Sequence, residues 1–316
     1  MTNGLFIHCG TKFNRERPFR EDRTNEAYAA LAQLGEKVGF NVYFSRYPFY
    51  DKNSKNLRRA WQYDGEKWKK VRNKIVDIMY YRGLNTKFAK ESLLIENSVN
   101  LPIINHLELE HVCNDKLLTS NIFPDLMPKT FLINDSYELH RVMNHIPSNY
   151  VVIKPRYGSF GKGVSILPKK DVVNGIRKNT VLQEFIDTSE GILGIKSVHD
   201  LRTMIVDGKI DHCYLRIPKK GSLISNSSAG GKKIFVDPDD LPQRIKRKIK
   251  LIDSHFAHYG PRIYSIDVMQ GPNEKIWLLE LNSKPGVYYY DGSKRIRKRF
   301  YKNAFESMNK LIEQNK

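Results

Sequence analysis

Glu280 and Asn282 stand two residues apart in the run Trp277-Leu278-Leu279-Glu280-Leu281-Asn282-Ser283-Lys284-Pro285-Gly286. Strand side chains alternate sides, so an apolar strand here would deliver a carboxylate and a carboxamide to one face. With Asp267 shortly upstream, they make an oxygen donor set suited to a hard cation. Magnesium takes such oxygens and commonly keeps water and substrate phosphates in its other positions, so the set points towards a nucleotide.

A phosphate-covering segment lies upstream. Val151-Val152-Ile153-Lys154-Pro155 is an apolar strand ending near a lysine, and Gly158-Ser159-Phe160-Gly161-Lys162-Gly163 follows it. Three glycines in six residues allow close backbone approach and turn amide N–H groups towards phosphate oxygens, while Lys154 and Lys162 add positive charge. The spacing is neither that of the P-loop nor that of the dinucleotide-binding fingerprint. Val181-Leu182-Gln183-Glu184-Phe185-Ile186 reads as a strand whose backbone can hydrogen-bond an adenine edge while Phe185 and Ile186 cover its face. Asp200-Leu201-Arg202, Tyr214-Leu215-Arg216-Ile217 and a loop from Ile224 through Asn226 to Gly230-Gly231 complete the order.

This ordered set resembles the ATP-grasp superfamily, specifically the branch holding the ribosomal-protein glutamate ligases and the spore-coat-associated ATP-grasp proteins. Tyr80-Tyr81-Arg82-Gly83-Leu84, Asn114-Asp115-Lys116 and Leu126-Met127-Pro128-Lys129-Thr130 lean towards the spore-coat-associated group, and the likeness runs from about residue 75 to the end. The resemblance implies an α/β (α+β) ATP-grasp fold: a preceding open α/β domain over residues 1–112, then residues 113–316 as two lobes with antiparallel sheets enclosing the nucleotide. Residues 113–186 would form the nucleotide lobe with the glycine loop, and 187–316 the C-terminal lobe with the metal ligands.

It also implies roles. Lys116 and Lys154 would hold the α- and β-phosphates, Lys116 competing with the reading of an ordinary helix lysine. Asp267, Glu280 and Asn282 would bind one or two magnesium ions, or manganese. Arg202 and Arg216 would meet the γ-phosphate or the carboxylate it phosphorylates, since guanidinium forks suit both anions; the competing reading is a structural ion pair such as Arg202 with Asp200. Asn226, Gly230 and Gly231 would close over the reacting phosphate. Asp187 and Glu190 are alternative partners for the ribose hydroxyls.

Around these residues the sequence places its elements. Leu5–Cys9, Asn41–Ser45 and Ile75–Tyr80 read as strands, and Thr24–Val38 reads as a helix capped by Thr24, with Tyr28, Leu31 and Leu34 at helical spacing. Tyr47 to Lys70 reads as an irregular excursion whose Trp61 and Trp68, interleaved with bases, raise the possibility of nucleic-acid stacking. Asn114 and Asp115 are expected to cap a helix at Lys116, and a helix is expected over Asp171–Arg177. Paired antiparallel strands follow from Asp200, then a loop over Pro218–Lys233, a basic helix over Leu241–His258 and a closing helix over Arg297–Ile312.

The chain has 316 residues, 40% hydrophobic and 11% aromatic, enough for two or three lobes with a core. No window has the length of a transmembrane helix and the N-terminus lacks a secretory signal, so the expected location is cytoplasmic with no membrane partner. Cys9, Cys113 and Cys213 lack paired spacing and are expected as buried thiols, with neither disulfide nor zinc module. His199 and His212 fall in no catalytic context and are expected as strand residues. Fifty-three basic against 34 acidic residues give a net charge of +19, which attracts polyanions, although nucleic acid is the less favoured partner.

The expected function is ATP- and magnesium-dependent ligation of a carboxylate to an amine or related nucleophile through an acyl phosphate, the substrates including an amino acid or peptide. The alternative is an ATP-binding structural or assembly protein of the spore-coat-associated type. The substrate pocket is expected to involve Gly10–Arg23 and the segment after Gly286, where Tyr288-Tyr289-Tyr290 lies.

Overall fold

The computed structural model describes residues 1–8, 15–83, 101–158, 161–172, 178–189, 191–195, 197–224, 231–286 and 293–316. Cys9, Leu84 and Tyr288–Tyr290, most of the helix expected over Asp171–Arg177, and the beginning of the Gly10–Arg23 loop lie outside the described residues.

The N-terminal part is a mixed sheet. In chain order it supplies β1 (Thr2–His8), α1 (Asp22–Lys37), β2 (Phe40–Arg46), β3 (Tyr50–Asp51), β4 (Asn56–Leu57), β5 (Ala60–Tyr63), β6 (Trp68–Val71), β7 (Lys74–Ile75), β8 (Ile78–Tyr81) and β9 (Ile103–Ile104). Six strands run in the order β6-β5-β2-β1-β8-β9, and β3, β4 and β7 form a small separate sheet. β1 is parallel to both β2 and β8, with α1 as the crossover between β1 and β2, the open α/β arrangement that alternating strands and helices require.

Three local expectations change. The residue at the N-cap of α1 is Glu21, and Thr24 sits in the first turn donating its hydroxyl to Glu21 Oε2 at 3.2 Å. Ile75–Tyr80 is two strands in different sheets, because the chain turns between Ile75 and Ile78. Tyr47–Lys70 is an ordered antiparallel extension: β5 pairs with β2 and β6. Trp61 is 1% exposed and donates its indole N–H to Arg15 O at 3.2 Å, while Trp68 packs edge-on to Phe44 at 5.2 Å. An indole whose faces are spent on core packing offers no platform for a base, so the stacking reading of Trp61 fails.

Next come α2 (Leu107–Asn114), α3 (Lys116–Ile122), β10 (Thr130–Ile133), α4 (Ser136–Met143), β11 (Tyr150–Pro155), β12 (Ser165–Pro168) and β13 (Thr180–Glu184). Four of these strands form an antiparallel sheet in the order β10-β13-β11-β12. The remaining elements are β14 (Asp200–Val206), β15 (Lys209–Ile217), β16 (Lys232–Val236), α5 (Gln243–Ser254), β17 (Ile263–Gln270), β18 (Ile276–Asn282) and α6 (Lys294–Gln314). Their antiparallel sheet runs β16-β15-β14-β17-β18. The basic helix is amphipathic, burying Ile245, Ile249 and Ile252 on one stripe and exposing Arg247 and Lys250 on the other.

Both faces of the five-stranded sheet are covered. One packs on α2, α3 and α5 around Leu109, Ile249, Tyr264 and Leu281, with Cys113 and Cys213 buried there as expected. Met204, Val206 and Ile263 join the other core, in which Phe300, Phe305 and Met308 of α6 meet Tyr28 of α1 and Phe6 of β1. The last helix thus ties the end of the chain to its first sheet. A β-carbon added to Gly35 of α1 would lie 2.6 Å from Val42 Cγ2 and 2.8 Å from Phe305 Cζ, so this glycine sets how closely α1 and α6 approach. Gly35→Ala should therefore destabilise the protein: overpacking at roughly 1–3 kcal/mol outweighs a helix-propensity gain of about 1 kcal/mol. Equilibrium denaturation checks this, and an unchanged or raised midpoint would contradict it.

Candidate active site

The site is a cavity of about 280 Å³ between the four- and five-stranded sheets, with the ends of β1 and β8 closing a third side. Its floor is β18 beside β17, and the pairing there is irregular. Asp267 sits opposite Glu280 but Val268 sits opposite Leu278, so Leu279 is an extra residue in β18. Such a bulge changes the phase of a strand. Leu278 and Leu281, of opposite parity, are both 1% exposed in the core, while Leu279, Glu280 and Asn282 line the cavity.

Asp267 is fully buried in a four-membered charge cluster. Arg202, its register partner on β14, clasps it with two bonds, Nε to Oδ1 at 2.7 Å and Nη2 to Oδ2 at 2.6 Å. Arg216 on β15 donates Nη2 to Asp267 Oδ2 at 2.6 Å and Nε to Asp200 Oδ1 at 2.6 Å. The competing ion-pair reading therefore has its partners exchanged: Asp200 holds Arg216, and Asp267 holds Arg202. Burial alone would raise the Asp267 carboxyl, but the two guanidinium charges hold it below the usual carboxylate range. Arg202 and Arg216 still reach the cavity wall.

The opposite wall carries the lysines. Lys154 on β11 is 5% exposed, and its ammonium donates to Gln183 Oε1 at 2.8 Å. Gln183 Nε2 in turn donates to Thr130 Oγ1 at 2.7 Å, which fixes the carboxamide's orientation. Burial, and then the charge of Lys116, lower the Lys154 pKa to about 8 despite the opposing pull of Glu280. Asp115 caps α3 through the N–H groups of Leu117 and Leu118, at 3.0 and 3.3 Å, and also accepts two hydrogen bonds from the Arg156 guanidinium, Nε to Oδ1 at 2.9 Å and Nη2 to Oδ2 at 2.6 Å. That cap starts α3 where Lys116 points at the cavity, its Nζ 2.9 Å from Gly158 O and 3.9 Å from Glu280 Oε1.

In the glycine segment Gly158, Gly161 and Lys162 line the cavity. Gly163 does not: its φ of +73° and an added β-carbon only 3.0 Å from Pro155 Cγ make it the residue that turns the chain back into β12. Ser159 and Phe160 lie outside the described residues, as do Asn226, Gly230 and Glu190. Gly231 precedes β16, and Asp187 accepts the Ser189 N–H at 2.9 Å without lining the cavity.

Glu184, Phe185 and Ile186 border an apolar slot with Val152, Ile166, Met269 and Leu279. The last four carry no polar signature and escaped the sequence reading; only the Leu278-Leu279 doublet, which simple alternation cannot bury, hinted at one of them. His8, Arg82, Lys284 and His199 were likewise not assigned to the site although they line it. His199 is structural, its Nε2 accepting the Ile192 N–H at 2.9 Å. The Lys284 ammonium is buried against Glu110 of α2 and lies 4.5 Å from the centre of the Tyr81 ring.

The donors fit a hard cation in part. Glu280 presents a carboxylate to the cavity, with its side chain 32% exposed and Lys116 Nζ 3.9 Å away, and Asn282 lines the same wall. The oxygens of Asp267 are engaged by the two arginines.

Residues 113–298 match the RimK-like ATP-grasp domain. A glutathione synthetase of Photorhabdus laumondii is 31% identical over 134 residues, 41% of each chain. A probable alpha-L-glutamate ligase of Shewanella pealeana is 24% identical over 200 residues, 60% of this chain and 41% of the relative. The chain thus spans about two-fifths of the length of these curated relatives. The solved structure of D-alanyl-alanine synthetase A from Vibrio cholerae superposes with a TM-score of 0.66 at 13% identity over 99% of both chains. The fold and the matched residues lead to one assignment: this chain belongs to the RimK-like ATP-grasp family.

Proposed function

We propose that the protein is an ATP-dependent carboxylate–amine ligase acting on an amino acid or peptide. One observation carries the reading: a single cavity places Lys116 and Lys154 against Glu280 and Asn282, beside an apolar slot that suits a purine. The names of the matched relatives, a glutathione synthetase and a probable alpha-L-glutamate ligase, agree with it.

In this reading the base lies between Val152 and Ile166 on one side and Met269 and Leu279 on the other, its edge on the backbone after Gln183. Lys116, Lys154 and the amides of the glycine segment neutralise the phosphates. Glu280 and Asn282 would hold magnesium, which supplies further neutralisation of phosphate charge. Arg202 and Arg216, kept oriented by Asp267 and Asp200, stand beside the reacting phosphate. A substrate carboxylate oxygen attacks the terminal phosphorus and ADP leaves; the amine then attacks the acyl carbon, phosphate leaves, and an amide results. The chain's contribution is positioning and charge.

ADP release measured against a panel of amino acids and short acidic peptides with added amines tests this. Stimulated release by wild type is expected, falling on the order of 100-fold or more in Glu280→Gln, because a metal ion contributes several kcal/mol to such chemistry. Wild-type turnover by a folded Glu280→Gln protein would remove Glu280 from the metal site.

Lys154 gives a pH signature. Its pKa of about 8 in the unliganded protein lies below a lysine's ordinary value, and a bound phosphate would raise it, so nucleotide binding requires the proton. Affinity for Mg·AMP-PNP should be flat below pH 8 and weaken as pH rises above it. Lys154→Met should bind more weakly with a flatter profile over that window. Equilibrium dialysis across the range checks both, and a wild-type profile flat through pH 9 would contradict the assignment.

A further inference from the structure

The proposed nucleotide contacts come from the four- and five-stranded sheets and leave the third side of the cavity without a task. There β1 and β8 are parallel neighbours, Ile7 opposite Tyr81, so their ends bring His8 and Arg82 side by side into the same cavity as Glu280 and Asn282. Arg82 is fixed there: its backbone N–H donates to Ile7 O at 2.8 Å, and its guanidinium donates to Pro285 O at 2.7 Å and Tyr80 Oη at 3.2 Å. The His8 ring is held edge-on by Phe19 at 5.0 Å and Tyr28 at 5.8 Å. Its Nε2 is shielded from solvent, and no described group hydrogen-bonds it. A buried polar atom left unpaired is costly, and in a cavity wall a ligand relieves that cost.

The local field selects the ligand's charge. Burial, then the charges of Arg46 and Arg82, push the His8 pKa well below its usual value, leaving the ring neutral near pH 7. A neutral imidazole can donate one hydrogen bond, and two neighbouring cations repel an ammonium while attracting an anion. Lys284, also on this wall, is paired with Glu110 and adds little net field. The ligand that suits one N–H donor in a positive corner beside the proposed phosphate site is a carboxylate.

We propose that His8 and Arg82 form the subsite for a carboxylate of the amino-acid or peptide substrate, His8 donating through Nε2 and Arg82 supplying the field, an assignment that rests on the ligase reading above. Both act as specificity-determining residues, and neither takes part in nucleotide binding.

Protein labelled with nitrogen-15 at histidine, its His8 signals identified with His8→Gln, tests the assignment. The probes are the 20 L-amino acids, D-alanine and γ-glutamyl dipeptides, each beside its methyl ester, added with and without Mg·AMP-PNP. At least one free acid should move the His8 ring-nitrogen signals while its ester leaves them in place. His8→Gln should weaken that acid's binding about tenfold with Mg·AMP-PNP affinity unchanged, and Arg82→Gln in folded protein should weaken the acid's binding likewise. Silence of the His8 signals to every probe, or equal response to acid and ester, overturns the subsite while intact Mg·AMP-PNP binding leaves the ligase reading standing. Loss of Mg·AMP-PNP binding in wild type overturns both.

Discussion

A carboxylate with no solvent exposure has to be neutralised in place, and Asp267 is neutralised by two arginines that arrive from two different strands. Removing one member of such a buried cluster would leave an uncompensated charge, a loss of roughly 3–5 kcal/mol, so the cluster specifies the register of β14, β15 and β17 together. Arg202 lies opposite Asp267 and Asp200 lies opposite Arg216, and the same pairing turns both guanidinium groups towards the cavity. The bulge at Leu279 completes the arrangement. It allows two core leucines of opposite parity on β18 while Glu280 and Asn282 still face the open space.

The rest of the chain converges on that sheet. Asn105 bridges to it from the first part of the molecule, accepting the Ile263 N–H at 2.6 Å and donating to Ile263 O at 2.8 Å and Ser283 O at 3.0 Å. Glu110 holds Ser283 and Lys284, and Arg82 holds Pro285. The segment directly after the proposed metal ligands is therefore anchored to residues from β8 through α2, and α6 then carries the chain back onto α1 and β1. A cavity whose walls come from all three parts, tied by buried polar bonds, would under the proposed ligase reading hold two substrates in fixed relation, which is where a positioning catalyst gains its rate.

Much of this was legible in the sequence because oxygen donors, glycines and lysines at fixed order carry chemistry that few other arrangements use. Lys116, Lys154, Gly158, Glu280 and Asn282 all reach the one cavity. What the sequence concealed has physical reasons. Val152, Ile166 and Met269 are apolar residues indistinguishable in a sequence from core, and their role depends on which face meets the gap between two sheets. The strands β3 to β6 are short, with charged and aromatic residues interleaved, so neither period emerges, and only burial shows Trp61 to be core. Arg202 and Arg216 were expected to face an anionic ligand, but strand order, invisible in the sequence, brings Asp200 and Asp267 to them first. His8 had no motif around it, and its place in the wall follows from the parallel alignment of β1 and β8.

The most direct test of the account is a crystal structure of the protein with magnesium and AMP-PNP. The account predicts the base in the slot bounded by Val152, Ile166, Met269 and Leu279, the phosphates within reach of Lys116 and Lys154, and metal density on Glu280 and Asn282. Nucleotide bound elsewhere, or in the cavity with its phosphates turned away from Lys154 and no metal on Glu280, would contradict it.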